Sequence, residues 1–115
     1  MRDTRTHLED LLHEIVVVER FTATGKAEFL ADERDQYAVM MAYARIGEIV
    51  KQIPNELLAT QPHIEWRDIK GFRDVLLHRY FEIRVERVWD AVEKLAALRA
   101  AVEALLSSLP PEGEA

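Results

Sequence analysis

The chain has 115 residues, of which 49% are hydrophobic and 31% charged, with four glycines, four prolines and no cysteine. That is enough for one hydrophobic core and suits a helical protein better than disorder or repeated β-turns; disulfides, thiolate zinc sites and cysteine nucleophiles are excluded. The net charge of −6 repels polyphosphates at long range, so any nucleic-acid contact has to rest on a local basic patch.

The N-terminal stretch MRDTRTHLEDLLHEIVVVER carries charges at nearly every turn. It lacks the uninterrupted apolar run of a signal peptide or membrane span, which points to a cytoplasmic protein with no membrane association. A first helix is predicted from a capping box at Thr6-His7-Leu8-Glu9, with the apolar stripe Leu8, Leu11, Leu12, Ile15, Val18, ending between Phe21 and Gly25. Residues 27–31 allow one short turn. Asp32 is the predicted N-cap of a longer helix whose stripe is Ala38, Met41, Ala42, Ile46, Ile49, Val50, stopped at Gln52-Ile53-Pro54 because proline disfavours helix at the residue before it.

Pro54 opens a short helix that Gln61-Pro62-His63 closes, and a fourth helix begins near Ile64 to Trp66 with Trp66, Ile69, Phe72, Leu76 and Leu77 on its apolar side. After a break at residues 81–83, Val85, Val88, Trp89, Val92, Leu95, Ala96, Val102, Leu105 and Leu109 recur at three- and four-residue spacing, the pattern of one long amphipathic helix. Pro110-Pro111 ends it, leaving residues 110–115 as a flexible acidic tail behind a single domain of residues 1–109. No stretch alternates with period two for long enough to make a strand. The expected architecture is all-α, an antiparallel bundle of four to five helices.

The chemistry concentrates in one segment. Residues 71–81, GFRDVLLHRYF, bring a guanidinium, a carboxylate, an imidazole and a phenol within about two helical turns. At about 100° per residue Arg73 and Tyr80 share a face, whereas His78 points about 140° from Arg73. Convergence therefore requires a helix that ends near His78 or a second copy of the segment facing the first. A ribonuclease that works without metal needs a group to move a proton at the ribose 2′-hydroxyl and a cation to stabilise charge on the phosphate. His78 and Arg73 have those properties. The alternative is structural: Arg73 and Asp74 as a solvated pair, His78 at a helix end, and Tyr80 packed with its hydroxyl at the rim.

Arg73, four residues, His78, one residue, Tyr80 resembles the Arg-x4-His-x-Tyr motif of the HepT branch of the HEPN superfamily. Phe29 to Arg34, Ile46-Gly47-Glu48, Trp66 to Ile69 and Gly71 resemble further stretches of that family in the same order, so the likeness covers nearly the whole chain. The resemblance implies a HEPN-like helical toxin that forms a homodimer and cleaves RNA without a metal or other cofactor, with two copies of the motif meeting in the dimer cleft. By the same carry-over Arg73 and His78 are catalytic, Asp74 supports one of them, and Tyr80 is the tyrosine that an MntA-like nucleotidyltransferase antitoxin modifies with AMP. A bulky anionic adduct there would block RNA by charge and volume. Arg79 fills a position where small residues are common in the family, and either adds phosphate affinity or alters access to Tyr80.

Between residues 63 and 87 six Lys/Arg face five Asp/Glu, a net +1 against −7 for the remainder. The motif thus sits in the least repulsive part of the chain, short of a basic groove. His7 and His13 lack the i, i+4 spacing of a helical metal pair and are read as surface residues. Asp32, Glu33 and Asp35 complement a helix dipole. Arg45 and Glu48, three apart, are most simply an intrahelical ion pair, unless one of them turns toward the motif. Met40, Met41, Tyr43, Trp66, Phe72 and Trp89 are read as core or dimer-interface anchors. Two functional alternatives stay open: a non-catalytic subunit that presents substrate or nucleotide to a nucleotidyltransferase, and a dimeric scaffold that has lost toxicity.

Overall fold

The structure, a computed structural model, describes residues 3–111 and is helical throughout. In chain order the helices are α1 (Thr4–Phe21), α2 (Lys26–Ala31), α3 (Glu33–Val50), α4 (Asn55–Leu58), α5 (Trp66–His78), α6 (Val85–Glu93) and α7 (Leu95–Ser108), with a 3₁₀ turn at Tyr80–Glu82 between α5 and α6. The expected all-α bundle is what forms, with more pieces than four or five because short helices fill the connections. No helix among the described residues is long and apolar enough to cross a membrane.

The first helix starts earlier than its capping box suggests. Asp3 is the N-cap, and its carboxylate accepts from the Thr6 backbone N–H at 2.8 Å. Thr6 thus lies inside the first turn, because a carboxylate three residues upstream already satisfies the donor that Thr6 would otherwise leave free. Gly25, at φ 97°, separates α1 from α2; this left-handed conformation suits glycine, which has no Cβ to clash. Asp32 caps α3 as expected, accepting from the backbone N–H groups of Arg34 and Asp35.

The core joins Leu8, Leu11, Ile15 and Val18 of α1 to Val39, Ala42, Ile46 and Val50 of α3 and Leu98, Val102 and Leu105 of α7. Each such side chain contributes about 1.5–3 kcal/mol when fully buried. The buried stripe of α3 is rotated from the expected one: Val39 is fully buried, whereas Met41 is 61% exposed. Trp66 closes the core at the start of α5, and its indole N–H donates to the carbonyls of Leu58 and Gln61.

The long C-terminal helix is two helices. It breaks at Lys94 (φ −96°, ψ 2°) without proline or glycine. The cause lies in packing: α6 lies on α2 and α3 while α7 runs along α1, and one straight cylinder cannot follow both. Of the segment 110–115, Pro110 accepts from Arg5 at 2.5 Å, and residues 112–115 lie outside the described residues.

Candidate active site

The site is built where α5 crosses α3. Gly47 faces α5 so closely that a Cβ placed on it would lie 2.4 Å from the Arg73 Cβ and 3.0 Å from the Ile69 carbonyl oxygen. A glycine inside a helix costs about 1 kcal/mol relative to alanine. Here it lets the two backbones approach and fixes where the Arg73 side chain leaves α5.

Both terminal nitrogens of Arg73 are engaged. Nη2 lies 3.0 Å from Glu48 of α3, and Nη1 donates to Asp74 Oδ1 at 2.9 Å. Nε is buried and has no partner among the described residues. The same Asp74 oxygen accepts from Lys51 Nζ at 3.2 Å. Asp74 is therefore held below the usual carboxylate range, first by its hydrogen bond from Arg73 and then by that from Lys51. Two cations and two carboxylates make this cluster neutral.

Glu48 does not pair with Arg45, as the i, i+3 spacing suggests. Glu48 turns to Arg73, while Arg45 reaches back to the buried carboxylate of Glu14 on α1 at 3.3 Å. An interhelical partner wins in each case because the two side chains leave α3 toward different neighbours. Glu48, Lys51 and Gly47 are thus site residues that the motif alone does not name. The sequence signals for Gly47 are a glycine in the middle of an otherwise strong helix and its place in the Ile46-Gly47-Glu48 stretch that carries the family resemblance.

His78 is the last residue of α5 and is exposed. Among the described residues its side chain has no hydrogen bond or ion pair, and α5 stays helical to that point, so the 140° offset from Arg73 persists. The structure joins Arg73 to Asp74 and leaves His78 apart from both. Tyr80 opens the 3₁₀ turn, 53% exposed, with its ring centroid 4.1 Å from that of Phe81, which is 88% exposed. Arg79 bridges the turn to Glu82 at 2.7 Å.

Exposed apolar side chains share helix faces with this site. Around α3, Tyr37 and Met41 lie within about 20° of Glu48, and both are more than 60% exposed. On α5, Leu77 stands about 40° from Arg73 and is also exposed. The far face of α5 borders a separate cavity of about 1020 Å³ whose lining includes Tyr43, Phe72, Arg84 and Arg87.

Residues 11–105 match the family described as ribonuclease HepT-like. The chain belongs to the HepT-like ribonuclease family. It is 38% identical over 106 residues to a Thermococcus cleftensis protein named "Probable ribonuclease HepT", covering 90% of this chain and 96% of that one. A Methanocaldococcus jannaschii protein named "Putative RNase" is 36% identical, covering 79% of this chain and 76% of its own length. A Caldanaerobacter subterraneus relative with the same kind of name is 30% identical over 82% of this chain and 85% of that one. No solved structure matches the chain. Among the described residues no group of three or more His, Cys, Asp or Glu side chains is arranged to hold a metal ion.

Proposed function

We propose that this HepT-family chain is a metal-independent endoribonuclease toxin of the cytoplasm, neutralised by an MntA-like nucleotidyltransferase antitoxin that AMPylates Tyr80. The observation that carries the reading is the division of one short segment within a family of ribonucleases: Arg73 is anchored at the α3–α5 crossing, and His78 stands free five residues on.

His78 takes the proton of the ribose 2′-hydroxyl as the 2′-oxygen bonds to phosphorus. The phosphorus–5′-oxygen bond breaks, and the leaving oxygen takes a proton from water, to which His78 afterwards returns the one it accepted. Arg73 stabilises the negative charge that builds on the phosphate oxygens. Since His78 and Arg73 of one chain point apart, the reading includes a homodimer in which the histidine of one copy approaches the arginine of the other. The exposed Tyr37 and Met41 on the Glu48 face of α3, Leu77 on the Arg73 side of α5 and Phe81 in the turn that follows support it, because large apolar side chains left in solvent favour burial against a partner. Tyr80, exposed in its turn, is open to modification, and a nucleotide attached there would place a phosphate and a base beside the site.

The separation of Arg73 from His78 favours a competing reading, a non-catalytic subunit that uses Arg73 alone to grip phosphate for a nucleotidyltransferase. Induction of the wild type and His78→Ala without any partner separates the two. Growth arrest with fragmented RNA in the wild type alone establishes the nuclease, and a loss of about 10²–10⁴-fold in cleavage by the purified variant is expected of a proton-transfer residue. Equal growth and intact RNA in both exclude the nuclease and favour the binding subunit; nucleotide binding retained by His78→Ala protein separates it from a scaffold that has lost toxicity.

A further inference from the structure

Arg73 meets competition as a phosphate ligand: each of its two terminal nitrogens already contacts a carboxylate. A phosphate that takes the position of either carboxylate has to displace it. The two are not equivalent. Glu48 contacts Arg73 from the neighbouring helix. Asp74 Oδ1 instead sits between Arg73 Nη1 at 2.9 Å and Lys51 Nζ at 3.2 Å. Moving Asp74 aside frees two cations at once, and Glu48 continues to hold the guanidinium in place. The Asp74 carboxylate is half-exposed, and exposed ion pairs of this kind are individually weak, so an incoming anion displaces it readily.

We propose that Lys51 and Arg73 form a two-pronged phosphate clamp, and that Asp74 Oδ1 occupies the position of an RNA phosphate oxygen in the free protein. The inference rests on reading this cluster as the RNA site and adds a residue to it. Lys51 is the second phosphate ligand, Glu48 the anchor, and Asp74 a placeholder whose charge competes with substrate. A phosphate oxygen accepts from guanidinium at the distance that the Asp74 oxygen shows to Arg73, and the 3.2 Å to Lys51 is at the long end of the N–H···O range. The arrangement also accounts for a neutral site: the charge that favours RNA emerges when Asp74 moves out.

The test measures binding of a labelled, mixed-sequence single-stranded RNA to His78→Ala protein over a range of salt concentrations. Lys51→Ala on that background should weaken binding several-fold at low salt and reduce the log–log salt slope by about 0.7, the value for one phosphate contact on a single strand. Lys51→Arg should restore the slope. Asp74→Asn, which keeps the shape and removes the charge, should tighten binding. An unchanged slope in Lys51→Ala, or weaker binding in Asp74→Asn, overturns the clamp. Thermal melts matching that of the background protein establish that each variant is folded. If the wild type cuts RNA while these variants fail the test, the clamp falls and the nuclease reading stands. If the wild type neither cuts nor binds RNA, the reading of the site itself falls.

Discussion

The α3–α5 crossing and the C-terminal end of α5 are a few residues apart and built on opposite principles. At the crossing, Arg73 is held by Glu48 and Asp74, Asp74 by Lys51, and the helices touch across Gly47. At the end of α5, His78 is bare, and Tyr80 and Phe81 stack on each other in solvent. On the proposed function, a fixed cation and an unfurnished imidazole on one helix divide the site into a charge-stabilising half held within the chain and a proton-transfer half completed by a second copy. The two halves should therefore respond differently to mutation.

The sharpest way to test that difference is Gly47→Ala. The new methyl would lie well inside contact distance of the Arg73 side chain, so α5 has to move outward by about 1 Å. A displacement of that size at a reacting group costs about 10²-fold in rate, and overpacking a helix contact costs about 1–3 kcal/mol of stability. Cleavage assays and denaturant melts should show both losses. Near-normal cleavage with a normal melt would mean that the position of Arg73 is not set by this contact.

At the other region the expected effect falls on association. Burying one large apolar side chain contributes about 1.5–3 kcal/mol, so Phe81→Asp should weaken a dimer by about 10-fold or more. Light scattering across a concentration series should show dissociation, and the melting of dilute monomer should stay unchanged because Phe81 is 88% exposed within the chain. A wild type that is monomeric at all concentrations would remove the interface and leave the bare histidine without a completing partner.

Sequence reading reached these two regions unequally. The segment from Arg73 to Tyr80 was legible because its chemistry is contiguous, and the angles of a helix already separated His78 from Arg73. The anchors on α3 are legible only in part: the sequence leaves open that Arg45 or Glu48 turns toward the motif, and the structure shows that Glu48 does. The i, i+3 spacing pairs Arg45 with Glu48, and nothing in one strand of text says that Glu14 and Arg73 wait on neighbouring helices to take them. Two acceptable caps, Asp3 and Thr6, compete at the start of α1, and the upstream one wins by reaching the Thr6 N–H. The break at Lys94 is hidden because apolar residues keep three- and four-residue spacing through it; only the need of α6 and α7 to pack on different helices reveals the turn.

The smallest expected effect lies behind the crossing, at Tyr43. It is 5% exposed, packs edge-on against Phe72 with ring centroids 5.7 Å apart, and its hydroxyl has no hydrogen-bond partner among the described residues. A buried hydroxyl left unpaired costs about 1–3 kcal/mol, so Tyr43→Phe, which keeps the ring contact, should stabilise the fold by about 1 kcal/mol. Burial also pushes the Tyr43 phenol well above its ordinary value. A raised folded-state value means that the contribution is complete below the unfolded value of about 10 and shrinks as pH rises past it, because ionisation is then favoured only in the unfolded chain. The stability gap between Tyr43→Phe and wild type should accordingly widen above pH 10, while RNA cleavage at neutral pH stays the same. Destabilisation by Tyr43→Phe would mean that the hydroxyl makes a hydrogen bond in solution, and the α3–α5 crossing would then be polar on both of its sides.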